Sequence, residues 1–117
     1  MTPQEMAERY GVKLRPTRVD EVIDATAEAF GLDGSHILRK DRSKSVKEAR
    51  LAAYLVARRC TRLSYPELGR AFGRNHTTVL SGVRSMGALC ARDPALAEIV
   101  ELLVERFGEV EQRERDQ

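Results

Sequence analysis

The residues Leu63-Ser-Tyr-Pro-Glu-Leu-Gly-Arg-Ala-Phe-Gly-Arg-Asn-His-Thr-Thr-Val-Leu80 offer one chemistry, the binding of DNA by a helix-turn-helix. Ser64 and Glu67 have the spacing of a capping box, in which hydroxyl and carboxylate each satisfy a free N–H at the start of a helix. Pro66 falls in the first turn, where a missing N–H costs nothing. Leu68 and Phe72 share one helical face, and Gly73 supplies the left-handed conformation that ends a helix. Asn75 is the expected cap of a second helix, which opens with His76, Thr77 and Thr78 and buries Val79 and Val83. A turn this short between two short helices is that of DNA-binding units, whose second helix enters the major groove. The plainer alternative is an ordinary helix pair in a small bundle.

The distribution of charge weighs against that alternative. The whole chain carries only +2, but residues 37–86 hold twelve Lys/Arg and three Asp/Glu, a net of +9. Residues 1–36 carry −3 and residues 87–117 carry −4. A basic middle flanked by acidic ends is what phosphate binding by counterion release requires.

Other chemistries find little support. No Gly-x-x-x-x-Gly-Lys-Ser/Thr phosphate loop occurs in the chain, so ATPase activity is not expected. Cys60 and Cys90 do not form a Cys-x-x-Cys pair, which argues for buried free thiols rather than a metal or redox site. His36 reads as a surface residue of a capping turn, and Glu98, Glu101 and Glu105 as the solvated face of a helix. The expectation is a non-enzyme with no cofactor, no metal and no catalytic residue. No apolar run could span a membrane and no secretory signal opens the chain, so a cytoplasmic location is expected.

These residues must be positioned by helices, since no convincing strand occurs. The fold class is all-α: a small helical bundle containing a helix-turn-helix, with a preceding basic loop and a long helix. At 117 residues and 42% hydrophobic, the chain can bury one modest core. A short helix over about 3–10, started by Thr2 and Glu5, and a linker make up residues 1–16. Thr17 is the expected cap of the next helix, with Val19, Val22, Ile23, Ala25, Ala27 and Phe30 inward and Gly31 at its end. A helical turn over 34–38 leads to the basic segment Arg39-Lys-Asp-Arg-Ser-Lys44. Ser45 then caps a long helix over about 46–62 with a buried stripe of Val46, Ala49, Ala53, Val56, Cys60 and Leu63. Lys47, Arg50, Tyr54 and Arg58 fall on another face, a basic side open to a phosphate backbone. A last helix starts at Asp93-Pro94 and runs to about Phe107, burying Leu96, Ile99, Val100, Leu103 and Val104. The DNA-binding domain thus spans 17–107, and 108–117 form a charged flexible tail with little to pack.

In both wording and order, these elements resemble the C-terminal DNA-binding domain of the bacterial replication initiator DnaA. The carrying residues are Ile37-Leu-Arg-Lys-Asp-Arg-Ser-Lys-Ser-Val46, Ala49-Arg-Leu-Ala-Ala-Tyr-Leu55, Thr61-Arg-Leu-Ser-Tyr-Pro-Glu-Leu-Gly-Arg-Ala-Phe-Gly73 and His76-Thr-Thr-Val-Leu80. The closing helix from Asp93 to Val104 is also similar. The likeness covers about residues 17–107. It implies that Arg42, on the basic loop, enters the minor groove, where a narrow A·T-rich groove attracts a guanidinium. It further implies that Arg50 contacts the backbone, that His76 and Thr77 meet base edges in the major groove, and that Thr78 lies near phosphate at the helix N-terminus.

The chain also departs from the family. The family's Gly-Gly-Arg-Asp turn is here Gly73-Arg74-Asn75, one residue shorter, which puts Asn75 where an acidic base reader stands. Ser81 replaces a histidine, while Glu48, Ala49 and Leu51 replace Arg, Pro and Gln. Together the expected DNA-binding residues are Arg39, Lys40, Arg42, Lys44, Lys47, Arg50, Arg74, Asn75, His76, Thr77, Thr78 and Ser81. Two readings stand. One is a stand-alone regulator that binds double-stranded DNA as a monomer and acts on transcription or replication initiation. The other is a module whose acidic terminal helices hold a protein partner, with DNA binding weak or lost.

Overall fold

A computed structural model of the chain describes residues 17–110, together with Thr2 and Glu5. Six helices follow in order: α1 Val19–Ala29, α2 Gly34–Leu38, α3 Lys44–Cys60, α4 Tyr65–Phe72, α5 His76–Arg92 and α6 Pro94–Phe107. Among the described residues all regular structure is helical, as the periodicity requires. No helix among them is long and apolar enough to cross a membrane. The expected helix over 3–10 lies outside the described residues, as does the tail from 111 on.

The long helix α3 is the axis of the bundle and packs against α1, α2, α4, α5 and α6. Its alanines explain how it touches so many partners. Ala49, Ala52, Ala53 and Ala57 are fully buried, and their short side chains let neighbouring helices approach closely. Around them pack Val22 and Ala27 of α1, Ile37 of α2, Leu68 and Phe72 of α4, Val79 and Met86 of α5, and Val100 of α6. Tyr54 joins three helices: its ring meets Phe72 edge-on at 4.8 Å and lies under Gly82 of α5.

Several boundaries differ from the sequence reading. Thr17 does not cap α1; the cap position is Arg18, without a side-chain cap bond. The Thr17 hydroxyl donates instead to the Phe107 carbonyl at 3.2 Å, tying the start of α1 to the end of α6. Helix α3 begins at Lys44 rather than after Ser45, because Asp41 accepts the Ser43 N–H at 2.8 Å and turns the chain into the helix early. That bond also holds the Asp41 carboxyl below its ordinary range. The helix ends at Cys60, where the Thr61 hydroxyl donates to the Ala57 carbonyl.

Arg58, expected on the open basic face, is 8% exposed. It donates to the Leu63 carbonyl and stacks over Tyr65 at 4.3 Å, so it supports the entry to α4.

At the far end of α3, Arg59 forks between Glu101 of α6 (2.7 Å) and Glu109 (2.6 Å), while the Val110 N–H donates to the Arg59 carbonyl. The first residues of the expected tail are thus held against α3. The bond to Arg59 keeps the Glu109 carboxyl below its ordinary range. A depressed carboxylate favours the folded state above its ordinary range, and that preference fades as pH falls through the lower folded value. Arg59→Gln is expected to return Glu109 to an ordinary titration, read by NMR of the side-chain carboxyl against pH. An unchanged titration would show that the fork does not persist in solution.

Candidate nucleic-acid interface

The helix-turn-helix forms from its local signals. Ser64 accepts the Glu67 N–H at 3.3 Å while Glu67 accepts the Ser64 N–H at 3.0 Å, completing the capping box. Gly73 closes α4 with φ of 66°. At Gly69 main chain packs closely on main chain: a Cβ there would lie 2.7 Å from the Arg74 carbonyl oxygen and 3.1 Å from the His76 nitrogen. Only glycine lets α4 sit directly on the turn and so fix the angle at which α5 leaves it. Asn75 then caps α5, its side chain accepting the Thr77 N–H at 3.0 Å.

The expected base readers Asn75, His76 and Thr77 are exposed at the start of α5, as are Thr78, expected near phosphate, and Ser81 one turn further on. A groove of about 460 Å³ runs between α3 and α5. Lys47, Arg50, Arg74, Thr77, Thr78 and Ser81 line it, and Leu51, Tyr54, Gly82 and Ser85 form the rest of its wall. Of these residues none is acidic. The buried Tyr54 hydroxyl has no hydrogen-bond partner among the described residues. Burial pushes its pKa up, and the charges of Arg74 and Arg50 partly oppose that rise. Arg39, Lys40 and Arg42 stand exposed along the loop before α3 and Lys44 at the first residue of α3, and none of them lines the groove.

Two of the expected contacts do something the sequence did not show. Arg50 donates to the carbonyls of Ile37 (2.8 Å) and Arg39 (2.6 Å), and Arg74 reaches the same Arg39 carbonyl at 2.8 Å and that of Leu38 at 3.3 Å. A helix of five residues leaves its last carbonyls open, and two guanidinium groups close them. Both arginines therefore hold the basic loop, and only their remaining surface faces the groove. At the other end of α2, Asp33 accepts the Ser35 N–H (2.9 Å) and His36 accepts the Asp33 N–H (3.2 Å), which accounts for His36 within a capping turn.

The sequence reading passed over Ser85 and Arg70. Ser85 follows Ser81 by one turn on the same face of α5, a spacing that could have found it. Arg70 borders a second hollow of about 390 Å³ beside Asn75 and His76, and its place in the basic segment was the available signal.

Residues 19–86 match the family model described as the bacterial dnaA protein helix-turn-helix. The chain belongs to the DnaA helix-turn-helix family. Among relatives of that family, the chromosomal replication initiator protein DnaA of Caulobacter vibrioides is 40% identical over 90 residues, covering 76% of this chain and 18% of the relative. The DnaA of Xanthobacter autotrophicus is 40% identical over 107 residues, covering 85% of this chain and 21% of its own. That of Neisseria meningitidis is 37% identical over 86 residues, covering 73% of this chain and 17% of its own. The chain thus spans about a fifth of the length of these DnaA relatives. The matched segment is a DNA-binding domain, and it contains the loop, the long helix, α4 and α5 as far as Met86.

Two expected outcomes test how this surface is built. Gly69→Ala drives a methyl group into main-chain atoms and is expected to destabilise the fold by about 1–3 kcal/mol, measured by urea denaturation. Arg50→Lys keeps the charge but loses the fork across two carbonyls, with an expected cost of about 1–2 kcal/mol in the same assay. Wild-type stability in Arg50→Lys would show that the carbonyl bonds contribute nothing net.

Proposed function

We propose that the chain binds double-stranded DNA sequence-specifically as a monomer, with α5 in the major groove and the Arg42 loop against the minor groove. The observation that carries this reading is the groove between α3 and α5, lined by three cations and several hydroxyls with no acidic residue, and opening beside the exposed start of α5. Family membership supports the same docking. Phosphates would lie along Lys47, Thr78 and Ser81, with Arg50 and Arg74 adding charge from behind. Arg39, Lys40, Arg42 and Lys44 would follow the neighbouring strand. A domain of this kind needs no nucleotide hydrolysis. It would act in the cytoplasm on replication initiation or transcription by occupying its site.

One observation favours DNA over a protein partner on the acidic face: Glu101 and Glu109 are already paired with Arg59.

The test is selection from random double-stranded DNA, followed by titration of the enriched sequence at two salt concentrations. An enriched motif is expected, bound far more tightly than scrambled DNA. Replacing Arg42 with Ala is expected to weaken binding, to reduce the salt slope by about one unit, and to cost most on A·T-rich flanks. No enrichment, with only weak binding abolished by salt, would overturn the reading.

A further inference from the structure

We infer that Asn75 acts on DNA as a hydrogen-bond donor alone, and so selects a keto base, guanine or thymine, on the strand it faces. The inference rests on the DNA-binding reading above and deepens it to the orientation of one base pair.

The polarity follows from what the Asn75 side chain already touches. The Thr77 backbone N–H can only donate, so the Asn75 atom it meets at 3.0 Å is the carbonyl Oδ1. The Thr77 hydroxyl meets that same oxygen at 2.8 Å, and since a carbonyl oxygen only accepts, the hydroxyl hydrogen is used there. Both acceptor positions of Oδ1 are therefore taken. What remains of Asn75 is the Nδ2 amino group, with two hydrogens to give and nothing with which to accept. Turning the amide over would strand the Thr77 N–H, one of the free donors that a helix start must satisfy.

Asn75 is exposed and borders the hollow shared with Arg70, Arg74 and His76. The guanidinium groups of the two arginines are donors only, and among the described residues the amino group makes no hydrogen bond.

In the major groove, guanine presents O6 and N7 and thymine presents O4, all acceptors. Cytosine presents an amino group, and adenine flanks its single acceptor with one. Against cytosine the donor leaves hydrogens facing hydrogens, and against adenine it has N7 alone, with the amino group beside it opposing its second hydrogen. Because each Watson–Crick pair joins a keto base to an amino base, the choice amounts to the orientation of the pair.

Asn75→Asp reverses this polarity with little other change. Aspartate caps a helix as well as asparagine does, with one oxygen taking the Thr77 bonds and the other standing where Nδ2 stood. The acceptor now favours cytosine or adenine on the same strand.

The experiment is parallel selection from random double-stranded DNA with the full chain, wild type and Asn75→Asp. Titration of two duplexes that differ only by inversion of the affected base pair then follows. One column of the motif is expected to invert from keto to amino while the others hold, with the preference between the duplexes reversing by about tenfold or more. Asn75→Ser, which keeps a cap but is too short to reach a base, is expected to flatten that column alone, and thermal melting checks that both variants fold. An unchanged motif in Asn75→Asp, even with affinity lowered on every sequence by the added charge, overturns the inference and leaves the DNA-binding reading standing. Failure of the wild type to enrich any motif overturns both.

Discussion

The main-chain carbonyl of Arg39 receives two guanidinium groups, from Arg50 of α3 and from Arg74 of the turn, and the geometry of the interface depends on that meeting. Helix α2 is too short to hold its own C-terminus, and the basic loop that follows it carries charges that repel one another. Cations at a helix C-terminus offset the first difficulty, since the open carbonyls form the negative end of the helix dipole. The arrangement also has a cost, because the two guanidiniums sit close enough for Arg74, after burial, to weaken the hold of Arg50 on its proton. A region that gathers like charge around a groove without carboxylates is relieved by an arriving anion. The bonds that build the loop thus prepare the surface for phosphate, and they make the Arg42 loop and the recognition helix parts of one body.

What could be read from the sequence was the chemistry that acts over a few residues. The Ser64–Glu67 box, the left-handed Gly73, the Asn75 cap and the Asp93-Pro94 start of the last helix each depend on neighbours within one turn, and each stands where the residue types put it. The start of α3 was misjudged by two residues, because Ser43 and Ser45 are equally good caps by type. The deciding partner is Asp41, the one acid within the basic segment, which accepts the Ser43 N–H.

The inward turn of Arg50, Arg58 and Arg74 was not legible. Helical spacing tells which side of α3 a residue occupies, but not that a short helix elsewhere has open carbonyls in need of a cation. The pairs Arg50–Ile37 and Arg74–Leu38 lie far apart along the chain, and in a sequence an arginine that caps a carbonyl resembles one that waits for phosphate. The exposed residues at the start of α5 were legible for the opposite reason: a cap residue fixes the three that follow it.

Arg59 completes the logic of α3. It lies nine residues beyond Arg50, about two and a half turns, and so projects from nearly the opposite side of the same helix. There it takes up Glu101 and Glu109, the carboxylates that the acidic end of the chain brings to the bundle. Had those carboxylates reached the α5 side, they would have neutralised Lys47, Arg50 and Arg74 and opposed an incoming phosphate. A near-neutral chain keeps a cationic groove only if its acids are held elsewhere. In this fold the helix that lines the groove also holds two of the acids away from it, so the charge pattern of the sequence becomes a division between two faces of α3.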